Sequence, residues 1–156
     1  RRAKISTLAF LDVATPPLLV AHAIGRVGCL LNGCCYGHAT ETWFGVHVEG
    51  VSGLFTPAQI FDSVYVLVGV ALVLLFERKP RAVGQSFALV ILFWGAARFV
   101  YEFSRAGTND EVARGAASST YWGSLPITQA QGAALVMVLV GGALIYWFGR
   151  RKAEAI

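Results

Sequence analysis

The sequence predicts an all-α, polytopic membrane protein: a transmembrane helix bundle of about four spans, with a short extracytoplasmic strand or hairpin between the first two. Three observations predict it. Of the 156 residues, 56% are hydrophobic and 14% charged, and the mean hydropathy is +0.60, far more apolar than a soluble domain. Four apolar stretches, about 8–31, 58–76, 84–103 and 127–148, each supply the roughly 20 residues needed to cross about 30 Å of hydrocarbon. The basic residues alternate along the chain. Arg1, Arg2 and Lys4 precede the first span, Arg78, Lys79 and Arg81 lie between the second and third, and Arg150, Arg151 and Lys152 follow the fourth. The other two connections hold only Arg105 and Arg114. The positive-inside rule then places both termini and the 77–83 loop in the cytoplasm, with 32–57 and 104–126 facing outward. The net charge of +4 therefore follows from topology and does not point to nucleic acid. Residues 1–156 form a single membrane domain. Because the chain opens on Arg1 and its one methionine is Met137, it is expected to be the C-terminal part of a longer integral membrane protein.

The first span contains Pro16 and Pro17, which donate nothing to the helix ladder, so regular helix is expected to begin near them. Beyond them His22, Arg26, Cys29 and Gly33 recur at helical spacing and predict one polar face. Residues 34–57 are rich in glycine, and the alternation of Phe44, Val46 and Val48 with Gly45, His47 and Glu49 predicts a short strand or hairpin. The second span opens with "FTPAQIFDS". Pro57 suits a first helical turn, and Gln59 and Asp62 share a face. The third span ends "WGAARFVYEFSRAG", where Arg98, then Tyr101 or Glu102, then Arg105 form a second polar stripe. Residues 106–124 are small and polar, closing on an interfacial Tyr121-Trp122 pair. Apart from Gln129 and Gln131, the fourth span is expected to be scaffold.

Arg26 and Arg98 stand inside spans, where an arginine costs roughly 2.5–3.5 kcal/mol on insertion scales. On the predicted topology both lie in the outer half of the bilayer and share one outward-facing cavity. Two guanidiniums, each a permanently charged bidentate fork, suit a phosphate, and in a membrane the abundant phosphate is a lipid headgroup. The alternatives are that Asp62, Glu102 or another internal carboxylate neutralises them and the pairs only fix helix packing, or that one arginine snorkels to the interface. The three cysteines in "GRVGCLLNGCCYG", with His22 and His38 nearby, do not have the spacing of a zinc ribbon or a haem site. They are polarizable packing residues, a redox pair or metal ligands, with packing favoured. No cofactor and no metal ligand is assigned from sequence.

"GRVGCLLNGCCYG" resembles the signature of the bacterial prolipoprotein diacylglyceryl transferases, which runs Gly-Arg-x-Gly-Asn, three positions, Gly, and a further Gly after three more. "FTPAQIFDS" resembles their His-Pro-Ser-Gln-Leu-Tyr-Glu segment, and "WGAARFVYEFSR" their Gly-x-x-Arg, three positions, Glu-Phe-x-Arg segment. "LPITQAQGAALVMVLVG" is similar to their closing helix, so the likeness covers the whole chain in order. Cys29 stands where the family usually has asparagine, Cys34 where an acidic residue is common, Thr56 in place of histidine and Asp62 in place of glutamate. The family's upstream His-Gly-Gly block is not in this chain.

The resemblance implies transfer of a diacylglyceryl group from phosphatidylglycerol to the lipobox cysteine of a preprolipoprotein, at the outer face of the bacterial inner membrane. It implies Arg26 and Arg98 as catalytic residues. Arg26, Asn32, Gly33, Gly37, Gln59, Arg98, Glu102 and Arg105 are the substrate-binding set, with Gly25 and Gly28 matching backbone positions. The implied partners are phosphatidylglycerol, the preprolipoprotein lipobox segment and the membrane itself, with no nucleic acid. Two other readings stay open: a divergent phospholipid enzyme with another acceptor, and a non-catalytic lipid- or metal-binding scaffold.

Overall fold

A computed structural model describes residues 6–105, 121 and 125–151. Arg1, Arg2, Lys4, Arg114, Trp122 and Lys152, with most of the expected 104–126 loop, lie outside the described residues. The elements run α1 (Thr7–Leu31), β1 (Val46–Val48), β2 (Val51–Phe55), α2 (Ala58–Phe76), α3 (Gln85–Arg105) and α4 (Gln129–Gly149). All four helices are long and apolar enough to cross a membrane, as the sequence predicts.

Large apolar side chains face outward, and several polar ones are buried. Leu139 is 72% exposed, whereas Asp12, Gln59, Ser86 and Glu102 are at most 1% exposed. Leucine loses nothing by facing lipid tails, while every polar group in hydrocarbon must find a protein partner, so the polar residues turn inward. One apolar cluster of the interior joins Leu19 and Ala23 of α1 to Val66 and Val73 of α2 and Val90 of α3, and another joins Ala82, Ala88 and Phe148.

α1 corrects one expectation. It does not begin near the prolines but runs through both, from Thr7 to Leu31. Pro16 and Pro17 withhold two donors, and beside them Thr15 Oγ1 donates to the Leu11 carbonyl at 2.7 Å. Hydroxyls and neighbouring helices make such interruptions tolerable in membrane helices. Gly33 is a second correction. It lies past the end of α1 at φ +64, in the turn that leaves the helix and off the helical face that His22 and Arg26 share.

The helices pack as two pairs, α1 on α2 and α3 on α4, joined mainly by α2 against α3. Ser63 Oγ stitches the first pair, 3.1 Å from the Ala23 carbonyl and 3.0 Å from that of Gln59. The second pair meets through glycine. A Cβ on Gly95 would sit 2.7 Å from the Ala134 carbonyl oxygen, and one on Gly141 would collide with the backbone of Leu92. Small residues let membrane helices approach to backbone contact, where dispersion holds them together. At the end of the bundle opposite the hairpin, the buried Asp12 carboxylate accepts from Gly84 N at 2.6 Å and Phe87 N at 2.9 Å. α1 thereby caps α3, filling donors that a helix start leaves open.

β1 and β2 form an antiparallel hairpin with Val46 opposite Phe55 and a bulge between His47 and Val48. The tight turn at Glu49-Gly50 uses Gly50 at φ +76. The prediction of a strand or hairpin here holds, although Phe44 falls outside the strand. Residues 37–40 run along the other edge of β2, with Gly37 N donating to Thr56 O at 2.8 Å and Thr40 N to Leu54 O at 2.8 Å. This layer lies over the helix ends that carry the polar residues.

Candidate functional site

Four helix ends meet beneath the hairpin, and each brings a polar side chain that the sequence pattern marks or nearly marks. α1 brings His22 and Arg26, one turn apart. α2 brings Gln59 and Asp62, also one turn apart. The Asp62 carboxylate receives both α1 residues on one oxygen, with Arg26 Nε at 2.5 Å and His22 Nε2 at 3.2 Å. Trp94 of α3 packs edge-on against the His22 ring, centroids 5.1 Å apart.

α3 brings Arg98, Tyr101, Glu102 and Arg105. Arg98 Nη2 pairs with Glu102 Oε2 at 2.8 Å along the helix. Glu102 is 1% exposed and also receives the Thr128 hydroxyl, 3.3 Å from Oε1. Thr128 is the N-cap of α4, closed in a capping box with Gln131: Gln131 N donates to Thr128 Oγ1 at 3.1 Å and Thr128 N to Gln131 Oε1 at 3.0 Å. The fourth helix is therefore more than scaffold, because its cap holds the carboxylate that holds Arg98.

Tyr101 lies at the centre. Its ring is fully buried, and three guanidinium carbons surround it, those of Arg98 at 5.1 Å, Arg105 at 5.6 Å and Arg26 at 5.8 Å from the centroid. An aromatic face is the negative side of the ring quadrupole and attracts cations without carrying a formal charge, so it can hold guanidiniums nearby without neutralising them. Three guanidiniums and two carboxylates leave one positive charge in excess. Arg98 Nη1, Arg105 Nε, Tyr101 Oη and Gln59 Oε1 are buried without a hydrogen-bond partner among the described residues. Three of these four atoms are donors, and unpaired buried donors beside excess positive charge suit an anion chemically.

The segment leaving α1 is fixed to this cluster. Gln59 Nε2 donates to the Cys34 carbonyl at 2.5 Å, and His38 Nε2 to the Phe103 carbonyl at 2.7 Å. Gly37 is packed so closely on the end of α3 that a Cβ there would run into the Ser104 carbonyl oxygen. Asn32 caps α1 through its backbone N, 3.0 Å from Gly28 O. A hydrogen bond from the Asn32 side chain lowers the Cys34 thiol below its ordinary pKa, while burial raises that of Cys35. An apolar cavity of about 220 Å³ lies between α1 and α3 with Met137 of α4 on its rim, lined by Leu18, Leu19, Val90, Ile91 and Trp94. Trp94 thus borders both the cavity and His22.

Arg26, Gln59, Arg98, Glu102 and Arg105 come together as the spacing predicts, with Asn32, Gly33 and Gly37 in the segment beside them. The pairing of Arg26 with Asp62 and of Arg98 with Glu102, weighed as an alternative to ligand binding, is present. It coexists with unpaired donors. Sequence reasoning missed the central place of Tyr101, the cap Thr128 and the buried Asp12. The pattern Thr128-x-x-Gln131 ahead of an apolar run was the available signal for the cap. Asp12 carries no local signal, since its partners lie more than 70 positions away.

A family model described as prolipoprotein diacylglyceryl transferase matches residues 1–147. The chain is 33% identical over 158 aligned residues to a phosphatidylglycerol-prolipoprotein diacylglyceryl transferase of Dehalococcoides mccartyi, an alignment covering 93% of this chain and 53% of the relative. A protein of the same name from Pseudoalteromonas atlantica is 32% identical, with 99% of this chain and 54% of the relative covered. A transferase 2 of Clostridium perfringens is 29% identical over 97% of this chain and 56% of its own length. The chain spans about half the length of the curated relatives it matches. With three signature blocks gathered at one end of a four-helix membrane bundle, and a family match over nearly its whole length, the chain belongs to the prolipoprotein diacylglyceryl transferase family.

Proposed function

We propose that the protein transfers the diacylglyceryl group of phosphatidylglycerol to the lipobox cysteine thiol of a preprolipoprotein, and that the Tyr101-centred arginine cluster binds the lipid phosphate. The observation that carries this reading is the set of unpaired buried donors, Arg98 Nη1, Arg105 Nε and Tyr101 Oη, gathered around one ring together with Arg26. The cluster sits on helices long and apolar enough to cross a membrane, where the abundant phosphate is a lipid headgroup.

The chemistry fits the charges. The acceptor thiolate attacks the glyceryl carbon that carries the phosphate ester, forming the C–S bond. The C–O bond breaks, and its electron pair leaves on the phosphate as glycerol phosphate. Negative charge grows on the departing phosphate oxygens, and guanidiniums fixed beforehand in a low-dielectric site stabilise that growth without reorganising. Arg26 and Arg98 bind the headgroup and stabilise the leaving group. Asp62 and Glu102 hold these two arginines in place, Gln59 fixes the Cys34 carbonyl beside them, and Asn32, Gly33 and Gly37 give the segment its turn. Arg105 offers its free Nε to the same phosphate. The neighbouring apolar cavity is of a size and lining to take part of an acyl chain. No residue of the cluster is assigned as the base that deprotonates the thiol.

The charge pattern supports an outward-facing site. Arg78, Lys79 and Arg81 lie at the opposite end of the bundle from the hairpin, where positive charge marks the cytoplasmic side. The membrane is then the bacterial inner membrane, with the acceptor arriving from the translocated side.

The test is transfer of labelled diacylglyceryl from phosphatidylglycerol to a lipobox peptide in proteoliposomes, with the full-length protein beside Arg26→Ala. Thioether product that falls at least about a hundredfold in the variant is expected, the scale of losing one preorganised charge partner of a leaving group. Folded wild-type protein that forms no thioether would overturn the assignment.

A further inference from the structure

We propose that Cys29, Cys34 and Cys35 form a three-thiolate site for a thiophilic d¹⁰ metal ion, Zn²⁺ or Cu⁺, beside the signature arginine. The spacing of two adjacent cysteines argues against this in an extended chain, where neighbouring side chains point to opposite sides. The backbone here is not extended. α1 ends at Leu31, Gly33 turns at φ +64 and Cys35 takes φ +63, the one described non-glycine residue with positive φ. Cys34 N donates back to the Cys29 carbonyl at 3.1 Å, which folds the second and third thiols over the last turn of the helix. The three sulfur atoms lie within 4.8 Å of one another, and all three cysteines are free and half-buried.

Metal–sulfur bonds of about 2.3 Å put the sulfurs of a tetrahedral or trigonal site roughly 3.8–4.0 Å apart, so the cluster closes on an ion by side-chain rotation. The surroundings already hold it. Gln59 fixes the Cys34 carbonyl through Nε2 at 2.5 Å, and Asn32 N ties the turn to the Gly28 carbonyl at 3.0 Å. On loading, each thiol gives its proton to solvent and no electron is transferred. Three thiolates on Zn²⁺ carry one net negative charge, and on Cu⁺ two, against which the Arg26 guanidinium supplies positive charge. Three soft ligands suit trigonal Cu⁺, and with Zn²⁺ they leave a fourth position for water. The site goes beyond the transfer reaction, and metal content is read independently of transfer.

The experiment uses the full-length protein purified in detergent without oxygen, incubated with Zn²⁺ and stripped of loosely held ion, with metal measured per chain. One equivalent is expected, falling at least tenfold in Cys34→Ser/Cys35→Ser. X-ray absorption on the loaded wild type removes any dependence on how the variant folds, and three sulfur neighbours at about 2.3 Å are expected. Less than a fifth of an equivalent in the wild type, or a first shell of nitrogen and oxygen alone, would overturn the proposal.

Discussion

The hydroxyl of Tyr101 is buried with no partner among the described residues, which costs about 1–3 kcal/mol unless a ligand supplies one. Its ring holds three guanidiniums. The two roles separate by mutation. Tyr101→Phe keeps the ring and removes the donor, so transfer efficiency, kcat/KM for phosphatidylglycerol, should fall about tenfold, the scale of one hydrogen bond to a charged group. Tyr101→Leu removes the ring as well and should fall further. Equal activity of Tyr101→Phe and wild type would remove the hydroxyl from the receptor. Arg26 and Arg98 were legible from sequence because a permanent charge inside an apolar run demands a reason. Tyr101 was not, because a tyrosine in a membrane helix is ordinary, and helical spacing from Arg98 fits position 101 or 102 equally. The adjacent cysteines differ in the same local way. With the thiol of Cys34 lowered by Asn32 and that of Cys35 raised by burial, Cys34 holds more thiolate at any given pH. In metal-free protein, iodoacetamide should therefore label Cys34 at lower pH than Cys35, read by peptide mass spectrometry, since the thiolate is the reactive form.

α3 depends at both ends on side chains from other helices. Asp12 fills two backbone donors at its start, and Thr128 holds Glu102 near its finish. Asp12→Ala strands both donors in a dry interior and should destabilise the protein by about 1–3 kcal/mol, measured as a lowered midpoint of unfolding in detergent. Asp12→Asn keeps an acceptor oxygen and should recover part of the loss. Thr128→Val removes the cap and the hydroxyl on Glu102, and should lower transfer as well as stability, whereas Asp12→Ala acts on stability alone. The length and order of the helices were legible because 18 or more apolar residues leave few other options. The start of α1 was not. Proline predicts a break where water solvates the freed carbonyls, but in a bundle Thr15 and the packed neighbours let the helix continue. The hairpin was legible from alternation and glycine, and its bulge was not.

Among the described residues, the interior mixes apolar side chains such as Leu19, Val66 and Val73 with the polar Asp12, Thr15, Asp62, Ser63, Glu102 and Gln131, while large apolar side chains such as Leu139 and Val136 face outward. One end carries Arg78, Lys79 and Arg81 in its 77–83 loop, the other carries the hairpin. Cysteines placed singly at Lys79 and at Thr42, in a background lacking the three native ones, should label from opposite sides of intact cells, Lys79→Cys only after the membrane is opened. Labelling of Lys79→Cys from outside intact cells would contradict the predicted topology. How charged groups near the receptor divide between pairing and ligand binding was beyond sequence, because it depends on which atoms of Arg26 and Arg98 the carboxylates take and which they leave. The proposed transfer requires the arginine cluster to be specific for a lipid phosphate. Its most direct test is binding of phosphatidylglycerol and of diacylglycerol, which shares the tails but lacks the phosphate, to the full-length protein by native mass spectrometry. Phosphatidylglycerol should bind the wild type at least tenfold more tightly than diacylglycerol, and Arg26→Ala/Arg98→Ala should erase that preference while leaving diacylglycerol binding unchanged. A preference that survives loss of both arginines would contradict the account.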